Sequence, residues 1–262
     1  MKKNAFLACI SAVLVLSVSL AFAAAPKVYT PFNGKNLEGW VPTGQSPASP
    51  WTVVKDVRLS EENPRELVPV AGEFESGVLF NPSRAINLMT MQHFGDITIE
   101  LEFMISQGSN SGVYPMGLYE VQIHDSYGKP VDQLHQGDMG AIYSAAAPMV
   151  NASRPAGEWQ HFIIEFVAPR FNDDGEKISN ALFKRVVLNG VLVQENVEAP
   201  GPTGGGISDT ETATGPLMFQ GTHGPIAYRN IKVTVNDQPA VGAPVRVMYR
   251  APFPRLRALF RN

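Results

Sequence analysis

Short stretches of alternating apolar and polar residues, separated by glycine and proline, dominate the chain. The clearest stretch is 96–105, in which Ile97, Ile99, Leu101 and Phe103 occupy every second position. A period of two residues predicts a strand with one buried face and one solvated face. Eight further stretches are rich in β-branched and aromatic residues and are also predicted as strands. They are 51–57, 77–80, 118–124, 159–168, 181–188, 191–196, 215–220 and 226–235.

The turns between these stretches favour antiparallel pairing. Asn189-Gly190, between two predicted strands, readily supplies the positive φ angles of a type I′ hairpin turn. The 23 glycines and 21 prolines are spread along the chain, and no sustained helical periodicity follows the first 23 residues. Regular strands with turn residues between them predict an all-β sandwich or jelly roll.

The first 23 residues have the organisation of a secretory signal. Lys2 and Lys3 precede an apolar run that ends in Ala21-Phe22-Ala23, a small-x-small cleavage site. The run is long enough for a membrane span, and Cys9 offers a lipoprotein alternative. However, no basic stop-transfer cluster follows the run, and Cys9 lies too early in it. We therefore expect cleavage near Ala23, a periplasmic or secreted protein, and no membrane span after cleavage.

Cleavage would leave 239 residues without a cysteine, so the mature chain must be stabilised by its core. This length suits one large all-β domain, which we place at 24–238. The net charge of −3 becomes −5 when Lys2 and Lys3 are removed. An acidic balance gives no support for a nucleic-acid partner. Neutral polyhydroxylated ligands fit such a domain at least as well.

Three segments are predicted as loops or linkers. Segment 42–50 is rich in proline, serine and glycine, and 200–214 contains Gly204-Gly205-Gly206 and almost no apolar residue, which predicts a mobile loop. The segment 239–262 has five arginines and no acid. It is interpreted as a flexible tail, or as a contact for the acidic surface of the domain or for anionic envelope components.

The stretch 119–125 carries the strongest signal for a functional site. One face of the predicted strand is apolar, whereas the other carries Glu120, Gln122 and His124, and Asp125 follows at the strand end. An acid, an amide and an imidazole on one rigid element can transfer protons and bind hydroxyl groups. The structural alternatives are a surface salt bridge for Glu120 and a turn cap for Asp125.

Two more segments offer groups for ligand binding. Asn110, Ser111 and Gly112 are expected to form a tight corner whose amides either close the turn or bind sugar hydroxyls. Tyr114 follows and could offer a flat face to a pyranose ring, or simply pack. Further along, Gln220 ends a predicted strand, and His223, beside Gly224, is expected to be exposed and positionable. Arg229 on the next strand is expected to orient a carboxylate such as Glu120 or to bind hydroxyls.

Other types of site find little support. The chain has no Gly-x-Ser-x-Gly elbow, phosphate loop or dinucleotide fingerprint. The acids and histidines at 124–138 match no defined metal motif, and a structural zinc site is not expected without cysteines. The metal site that we consider would bind a divalent cation such as Ca²⁺ through Glu120, Asp125 and backbone carbonyls.

A set of short motifs resembles the 3-keto-disaccharide hydrolase domain family, formerly a domain of unknown function. The matching segments are Phe32-Asn33-Gly34-Lys35-Asn36-Leu37-Glu38-Gly39-Trp40, Asn110-Ser111-Gly112-Val113-Tyr114, Tyr119-Glu120-Val121-Gln122-Ile123, Asp125-Ser126-Tyr127-Gly128, Gly140-Ala141-Ile142-Tyr143, Gly157-Glu158-Trp159, His223-Gly224 and Arg229-Asn230-Ile231. The resemblance implies a concanavalin A-like jelly-roll β-sandwich. It also implies a bacterial exported protein that acts on glycosides whose glucose unit is oxidised at C3. Leu118, His124 and Thr222 depart from residues that are common in the family.

Such a substrate suggests an elimination mechanism. A ketone at C3 acidifies the C2–H bond, so that a base and an acid can expel the group at C1 and water can add afterwards. We assign the acid and base work to Glu120 and His223, with Asp125 orienting the site. Gln122, Arg229 or a cation would hold the enolate or sugar. Two alternatives remain open, a non-catalytic carbohydrate-binding module and an ordinary glucanase.

Overall fold

The computed structural model describes residues 26–44, 50–84 and 86–236, which form two large antiparallel sheets facing each other across a core and two short two-stranded sheets. The predicted signal at 1–23 and the arginine-rich tail at 239–262 lie outside the described residues. Among the described residues, no helix has the length and apolar character needed to cross a bilayer. The predicted all-β jelly-roll sandwich is confirmed.

The described residues contain strands β1 to β17 and two single-turn 3₁₀ helices, at Pro115–Gly117 and Val131–Gln133. The strands are β1 Lys27–Tyr29, β2 Trp40–Pro42, β3 Thr52–Val54, β4 Asp56–Leu59, β5 Leu67–Val70, β6 Val78–Asn81, β7 Leu88–Phe94, β8 Ile97–Ile105, β9 Asn110–Tyr114, β10 Val121–His124, β11 Gln160–Val167, β12 Arg170–Phe171, β13 Lys177–Ser179, β14 Ala181–Leu188, β15 Val191–Ala199, β16 Gly215–Phe219 and β17 Ile226–Val235.

Two of the sheets form the layers of the sandwich. The large sheet has the strand order β15-β14-β11-β8-β17-β6-β3, and β1 also pairs with β17. The small sheet has the order β10-β9-β16-β7-β2. Strands that are distant in the chain are neighbours in both sheets, which is the non-local pairing of a jelly roll.

An aromatic stack joins the two sheets beneath the small sheet. Phe219 of β16 stacks on Tyr228 of β17 with a centroid distance of 4.1 Å, and Trp40 of β2 stacks on Phe219 at 5.2 Å. The Tyr228 hydroxyl lies 3.0 Å from that of Ser111 in β9. Stacked rings with satisfied hydroxyl groups are well-ordered packing units. The outer face of the small sheet therefore rests on a rigid base.

Most of the predicted strands are present, and two segments differ from their predictions. The strand expected over 51–57 divides at Lys55 into β3 and β4, which belong to different sheets. The tight corner expected at 110–112 is wrong, because these residues are part of β9 between β10 and β16. The buried Ser111 side chain satisfies its polarity there by donating to the Gln220 carbonyl at 2.7 Å. The turn lies earlier, where the Ser109 N–H donates to the Ser106 carbonyl at 3.2 Å.

The predicted hairpin at Asn189-Gly190 is confirmed. Asn189 has φ 53° and Gly190 has φ 83°, and β14 and β15 continue directly on either side. Positive φ at both central positions is the requirement of a type I′ turn. The Asn189 side chain also donates to the Ala152 carbonyl at 2.8 Å, which fixes the neighbouring loop.

Candidate functional site

The candidate site lies on the outer face of the small sheet, on the side away from the core. Gln122 of β10 is directly opposite Gly112 of β9. Gln220, just after β16, donates its backbone N–H to the Gly112 carbonyl at 3.0 Å. Because directly opposed residues share one face of a sheet, Gln122, Gly112 and Gln220 form a row across three strands.

Glu120 is held over this row by contacts of its backbone and by the shape of Gly112. Its N–H donates to the Thr203 hydroxyl at 2.9 Å, and its carbonyl accepts from the Tyr143 N–H at 3.1 Å. A Cβ on Gly112 would lie 2.2 Å from Oε1 of Glu120, so glycine leaves the space that the carboxyl occupies. The strand predicted over 118–124 begins only at Val121, three residues later than expected, but Glu120 still faces the same side as Gln122.

The Glu120 carboxyl is in an unusual electrostatic environment for an acid. The residue is 2% exposed, and its Oε1 has no hydrogen-bond partner in the described part of the chain. Burial raises the pKa of Glu120 from 4.5 to about 8, although the nearby Tyr114 hydroxyl acts in the opposite direction. Desolvation favours the uncharged form of a carboxyl group. Glu120 is therefore mainly protonated at neutral pH.

Tyr114 and Gln220 complete the polar group around Glu120. The buried Tyr114 hydroxyl donates to the Gly204 carbonyl at 3.1 Å and accepts from Nε2 of Gln220 at 3.2 Å. Burial and the adjacent Glu120 both raise the pKa of Tyr114, so the phenol stays protonated. Oε1 of Gln220 is buried without a hydrogen-bond partner among the described residues. Two buried oxygen atoms in one small region thus have no hydrogen-bond partner among the described residues, which is uncommon for buried polar groups.

A glycine segment, Gly204-Gly205-Gly206, passes closely over this group. A Cβ on Gly205 would lie 2.8 Å from the Tyr114 hydroxyl, and Gly205 has φ 80°. A Cβ on Gly206 would lie 3.2 Å from the Gly117 carbonyl. Side chains at these positions would hold the loop away from the sheet, so the glycines permit the close approach. The glycine segment therefore helps to cover the site.

The loop that carries the glycine segment is held at several points after the glycines. The Ile207 N–H donates to the Gly117 carbonyl at 2.9 Å. The Tyr119 hydroxyl donates to Glu211 at 2.5 Å, and Lys177 donates to the other oxygen of Glu211 at 2.7 Å. The segment 200–214 is a loop, as predicted, and these contacts attach it to the segment before β10 and to β13. The mobility expected for this loop stays a prediction.

His124 and Asp125 lie at the far end of β10. His124 shares the outer face with Gln122, is half-buried, and has a buried Nδ1 without a partner in the described chain. Burial lowers the pKa of His124, with Asp138 and Asp125 opposing the effect and Lys129 and His135 adding to it. The sequence suggested that Asp125 caps the turn that follows it. Its side chain instead accepts a hydrogen bond from the Gly108 N–H at 2.8 Å, in the turn before β9.

His223 and Asn110 mark the same end of the face. His223 is exposed, and its Nδ1 lies 2.7 Å from the Thr222 hydroxyl. A Cβ on the neighbouring Gly224 would lie 3.5 Å from the backbone nitrogen of Asn110, the first residue of β9. The Glu120 carboxyl lies over Gly112, two residues further along β9, which is roughly 7 Å of strand. The turn that carries His223 therefore lies at the Asn110 end of β9, about two residues along the strand from Gly112 and the Glu120 carboxyl.

Arg229 lies elsewhere, and its expected pairing with Glu120 is wrong. Its Nε donates to Glu102 at 2.6 Å, and its guanidinium lies 3.9 Å from the centroid of the Trp159 ring. Residue alternation along β17 explains this placement, because the neighbouring Tyr228 points into the core. Arg229 consequently faces out from the large sheet, on the side of the sandwich opposite Glu120.

The geometry gives limited support for a metal at this site. Among residues 26–44, 50–84 and 86–236, no three His, Cys, Asp or Glu side chains are grouped in a way that could hold a metal ion. Asp125 of the expected cation site is engaged by Gly108. Glu120 is surrounded by a phenol and an amide rather than by a second carboxylate. A cation held by Glu120 and Asp125 remains a prediction.

Two surface hollows lie beside the glycine segment. One has a volume of about 320 Å³ and is lined by Asn87, Met89, Gly206 and Ile207, among others. Asn87 also accepts from the Gly221 N–H at 3.0 Å, which places this hollow near the His223 turn. The other is a groove of about 610 Å³ that includes Tyr143.

Comparison with known families identifies the domain. The sequence profile of the 3-keto-alpha-glucoside-1,2-lyase-like domain matches residues 29–234. The chain belongs to this family. The match includes every residue of the outer face described above, and the family predicted from the short motifs is confirmed.

Solved structures agree with this assignment. A candidate glycosyl hydrolase from Parabacteroides distasonis is 27% identical, with a TM-score of 0.56 over 80% of this chain and 84% of that chain. A second candidate glycosyl hydrolase from the same organism is 18% identical, with a TM-score of 0.53 over 80% of this chain and 94% of that chain, and shows the fold alone. Among curated proteins, none has significant similarity to the chain.

Several residues of the candidate site were not expected from the sequence. Thr203 and Gly204 contact Glu120 and Tyr114 from a loop about 85 residues downstream. Tyr143 holds the Glu120 carbonyl from the loop after β10. The run of three glycines was a visible signal for a close approach, but nothing in the sequence indicated which surface it approaches.

Proposed function

We propose that this protein cleaves the glycosidic bond of 3-keto-glycosides by acid- and base-assisted elimination, followed by addition of water. Membership of the lyase-like family supports the coarser conclusion, which is a carbohydrate-active protein. The name of the 27% identical structural relative, a candidate glycosyl hydrolase, points in the same direction. We extend the proposal to an exported enzyme, as the predicted signal indicates.

One observation carries the proposal. Glu120 is a buried carboxyl with a pKa of about 8 and an Oε1 that lacks a partner in the described chain, beside Tyr114 and Gln220. An acid that keeps its proton at neutral pH can donate it to the oxygen of a leaving group. A purely structural carboxyl would normally have both oxygens satisfied by donors.

The proposed reaction uses two proton transfers, one from C2 and one to the oxygen bound at C1. A base removes the proton from C2, which the C3 ketone has acidified, and an enolate forms. The enolate then expels the oxygen at C1, which takes the proton of Glu120 and leaves as an alcohol. The remaining enone accepts water in a second step. This route differs from the oxocarbenium-like transition state of ordinary glycosidases.

The described residues support a division of these roles. Glu120 is the acid, because it holds a proton at neutral pH. His223 is the proposed base, because its imidazole is exposed and the turn that carries it lies at the Asn110 end of β9. If Nδ1 donates to the Thr222 hydroxyl, Nε2 keeps the lone pair that accepts the C2 proton. Gln122 and Gln220 offer amide groups for the sugar hydroxyls and the enolate oxygen.

Access to Glu120 requires movement of its cover. The residue is 2% exposed, and the glycine segment approaches Tyr114 and Gln220 closely. Glycine has low barriers to backbone rearrangement, which suits a segment that opens and closes over a site. We propose that the substrate displaces the glycine segment and that its hydroxyls satisfy the unpaired oxygens of Glu120 and Gln220.

A parallel assay tests the proposed function. Purified protein would be offered 3-keto-trehalose, a 3-keto-glucoside and the matching unoxidised sugars, each with and without a chelator. We expect turnover of the oxidised sugars, and the chelator arm tests the cation held by Glu120 and Asp125. Turnover of unoxidised sugars alone would refute the proposal and favour an ordinary glucanase.

A non-catalytic carbohydrate-binding module is the second candidate, and the burial of Glu120 favours it. Glu120 is 2% exposed in the free protein, and a buried carboxyl can fix the shape of a binding surface without touching the sugar. This alternative predicts sugar binding without turnover, and little change in affinity when Glu120 is replaced by glutamine. Calorimetric titration with the oxidised and unoxidised sugars separates the two functions.

A further inference from the structure

The groove of about 610 Å³ lies beyond the β10 edge of the small sheet. It is lined by His135, Gln136, Gly137, Tyr143, Ser144 and the alanines at 145–147. Its position follows from a short extension of the sheet, in which Val121 forms a bridge with Ile142, and Ile142 with Ala146. The groove is thus built from the loops that follow β10, and its volume is in the range of small-molecule sites.

Buried polar side chains fix both walls of the groove. Gln194 is 1% exposed and donates to the carbonyls of Gly140 at 3.0 Å and Ala147 at 3.1 Å. On the other wall, Asp138 is also 1% exposed and accepts from Lys129 at 2.7 Å and from the backbone N–H of His135 at 2.7 Å. Hydrogen bonds from buried groups to a rim hold that rim in one arrangement.

The groove meets the backbone of Glu120 at Tyr143. The Tyr143 N–H donates to the Glu120 carbonyl, and a Cβ on Gly204 would lie 3.1 Å from the Tyr143 ring. The Tyr143 side chain is 36% exposed, so part of the ring faces the groove. The next residue, Ser144, has φ 62°, a left-handed conformation that non-glycine residues rarely adopt and that is common at functional sites.

We propose that this groove binds the unoxidised sugar unit that leaves from C1, with the Tyr143 ring packed against the apolar face of that sugar. The inference rests on the proposed function, in which Glu120 gives its proton to the leaving oxygen. Gly204 lies against the Tyr143 ring and accepts a hydrogen bond from the Tyr114 hydroxyl beside Glu120, so a leaving sugar in the groove would lie at the edge of the pocket that holds the acid. His135, Gln136 and Ser144 supply polar groups for its hydroxyls.

Direct binding tests the groove without any turnover. D-glucose would be titrated into the purified protein, with the backbone amide signals of Ser144 and the alanines at 145–147 followed by NMR. We expect saturable shifts of these signals. Replacement of Tyr143 by alanine should weaken binding about tenfold, the loss expected for an aromatic contact of about 1–1.5 kcal/mol. Tyr143→Phe should retain most of the affinity, because the ring remains.

Two controls make the result specific to the groove. Tyr127 is 60% exposed and is not part of the groove lining, so Tyr127→Ala should leave glucose binding unchanged. Gln136→Trp fills the groove from an exposed position and should abolish binding without removing any core side chain. Absence of shifts at 144–147, or equal affinity in the Gln136→Trp variant, would overturn the inference, even if Tyr143→Ala failed to fold.

Kinetics separates this inference from the proposed function. With a 3-keto-disaccharide, Tyr143→Ala should raise KM about tenfold, whereas with methyl 3-keto-glucoside, which lacks a second sugar, KM should stay the same. Equal effects on both substrates would refute the leaving-sugar site while leaving the elimination intact. Glucose binding in the groove without turnover of any 3-keto-glycoside would instead refute the proposed function and keep the groove as a sugar site.

Discussion

The outer faces of both sheets carry glutamate side chains, but these glutamates differ in burial and in whether an arginine pairs with them. On the large sheet, Glu102 pairs with Arg229 at 2.6 Å and Glu165 pairs with Arg185 at 2.6 Å, and all four side chains contact solvent. On the small sheet, Glu120 is buried beside a phenol and an amide, and its Oε1 lacks a partner among the described residues. Satisfied exposed pairs contribute little stability and perform no chemistry. An unsatisfied buried acid is the signature of a site.

The pKa values express the same difference. Lys232 lowers the pKa of Glu100 on the large sheet, mainly through a hydrogen bond. For Glu102, burial alone would raise the pKa, but Arg229 and Asn230 outweigh it and lower the value. Burial raises the pKa of Glu120 to about 8 on the small sheet. Two glutamates in β8 are therefore ionised at neutral pH, whereas the one before β10 keeps its proton.

The largest expected effect is a loss of turnover that follows substitution on the small sheet but not on the large sheet. Glu120→Gln should reduce turnover of 3-keto-glycosides by about 10²–10⁴-fold, because the amide cannot supply the proton for the leaving oxygen. Glu102→Gln, the same substitution on the large sheet, should leave turnover within about twofold. Steady-state kinetics on both variants makes the comparison, with circular dichroism to verify folding. Undiminished turnover in Glu120→Gln would remove Glu120 from the catalytic role.

The pH dependence of stability is the second test of the contrast. The pKa of Glu120 is about 8 in the folded protein, whereas a fully solvated glutamate has a pKa of 4.5, so the unfolded chain releases this proton first as pH rises. The raised pKa of Glu120 therefore contributes to the free energy of unfolding. This contribution is fully present below pH 4.5 and is lost as pH rises through 8. Relative to Glu120→Gln, the natural protein should lose up to about 3 kcal/mol of unfolding free energy between pH 5 and 7.5.

Urea denaturation at several pH values measures this difference. The ion-paired glutamates of the large sheet have lowered pKa values, so their contribution is present above pH 4.5 and is lost as pH falls. Glu102→Gln should accordingly resemble the natural protein between pH 5 and 7.5. Parallel stability curves for the natural protein and Glu120→Gln would mean that Glu120 is ionised in the folded state.

The sequence predicted much of the fold and about half of the site. Alternation predicted β8, β11, β14 and β17 well, because each strand has one face in a single large core. Glu120 and Gln122 were placed on one face for the same reason. Strand β7 was missed, because a register shift opposite β16 breaks its alternation, and the Thr90 hydroxyl accepts the Leu217 N–H at that irregularity.

The rest of the site depends on contacts between distant segments. The sequence indicated that His124 was a local variation, yet its unpaired Nδ1 lies on the same face as Gln122. It also suggested that Arg229 meets Glu120, although the alternation within β17 places it on the other side of the sandwich. Which loop covers which face is decided by packing, and a local pattern does not encode it.

A third prediction tests the space that holds the Glu120 carboxyl. Gly112→Ala places a methyl group 2.2 Å from the Glu120 Oε1 position and should destabilise the protein by about 1–3 kcal/mol. Gly201→Ala is the matched control, because its Cβ would have no neighbour within 4 Å. In a Glu120→Ala background the cost of Gly112→Ala should fall markedly, since the clash is removed. Equal costs in both backgrounds would show that the two residues are not coupled.

The smallest expected effect returns to the large sheet. Arg229→Ala removes one exposed ion pair with Glu102 and one contact with the Trp159 ring, so it should cost about 1 kcal/mol of unfolding free energy. Turnover of 3-keto-glycosides should not change, because Arg229 faces away from the Glu120 side of the sandwich. Arg185→Ala, which breaks the pair with Glu165, is the matched control. A tenfold loss of turnover in Arg229→Ala, but not in Arg185→Ala, would mean that substrate also contacts the large sheet. The contrast between the ion-paired glutamates and the buried Glu120 would then not locate the site.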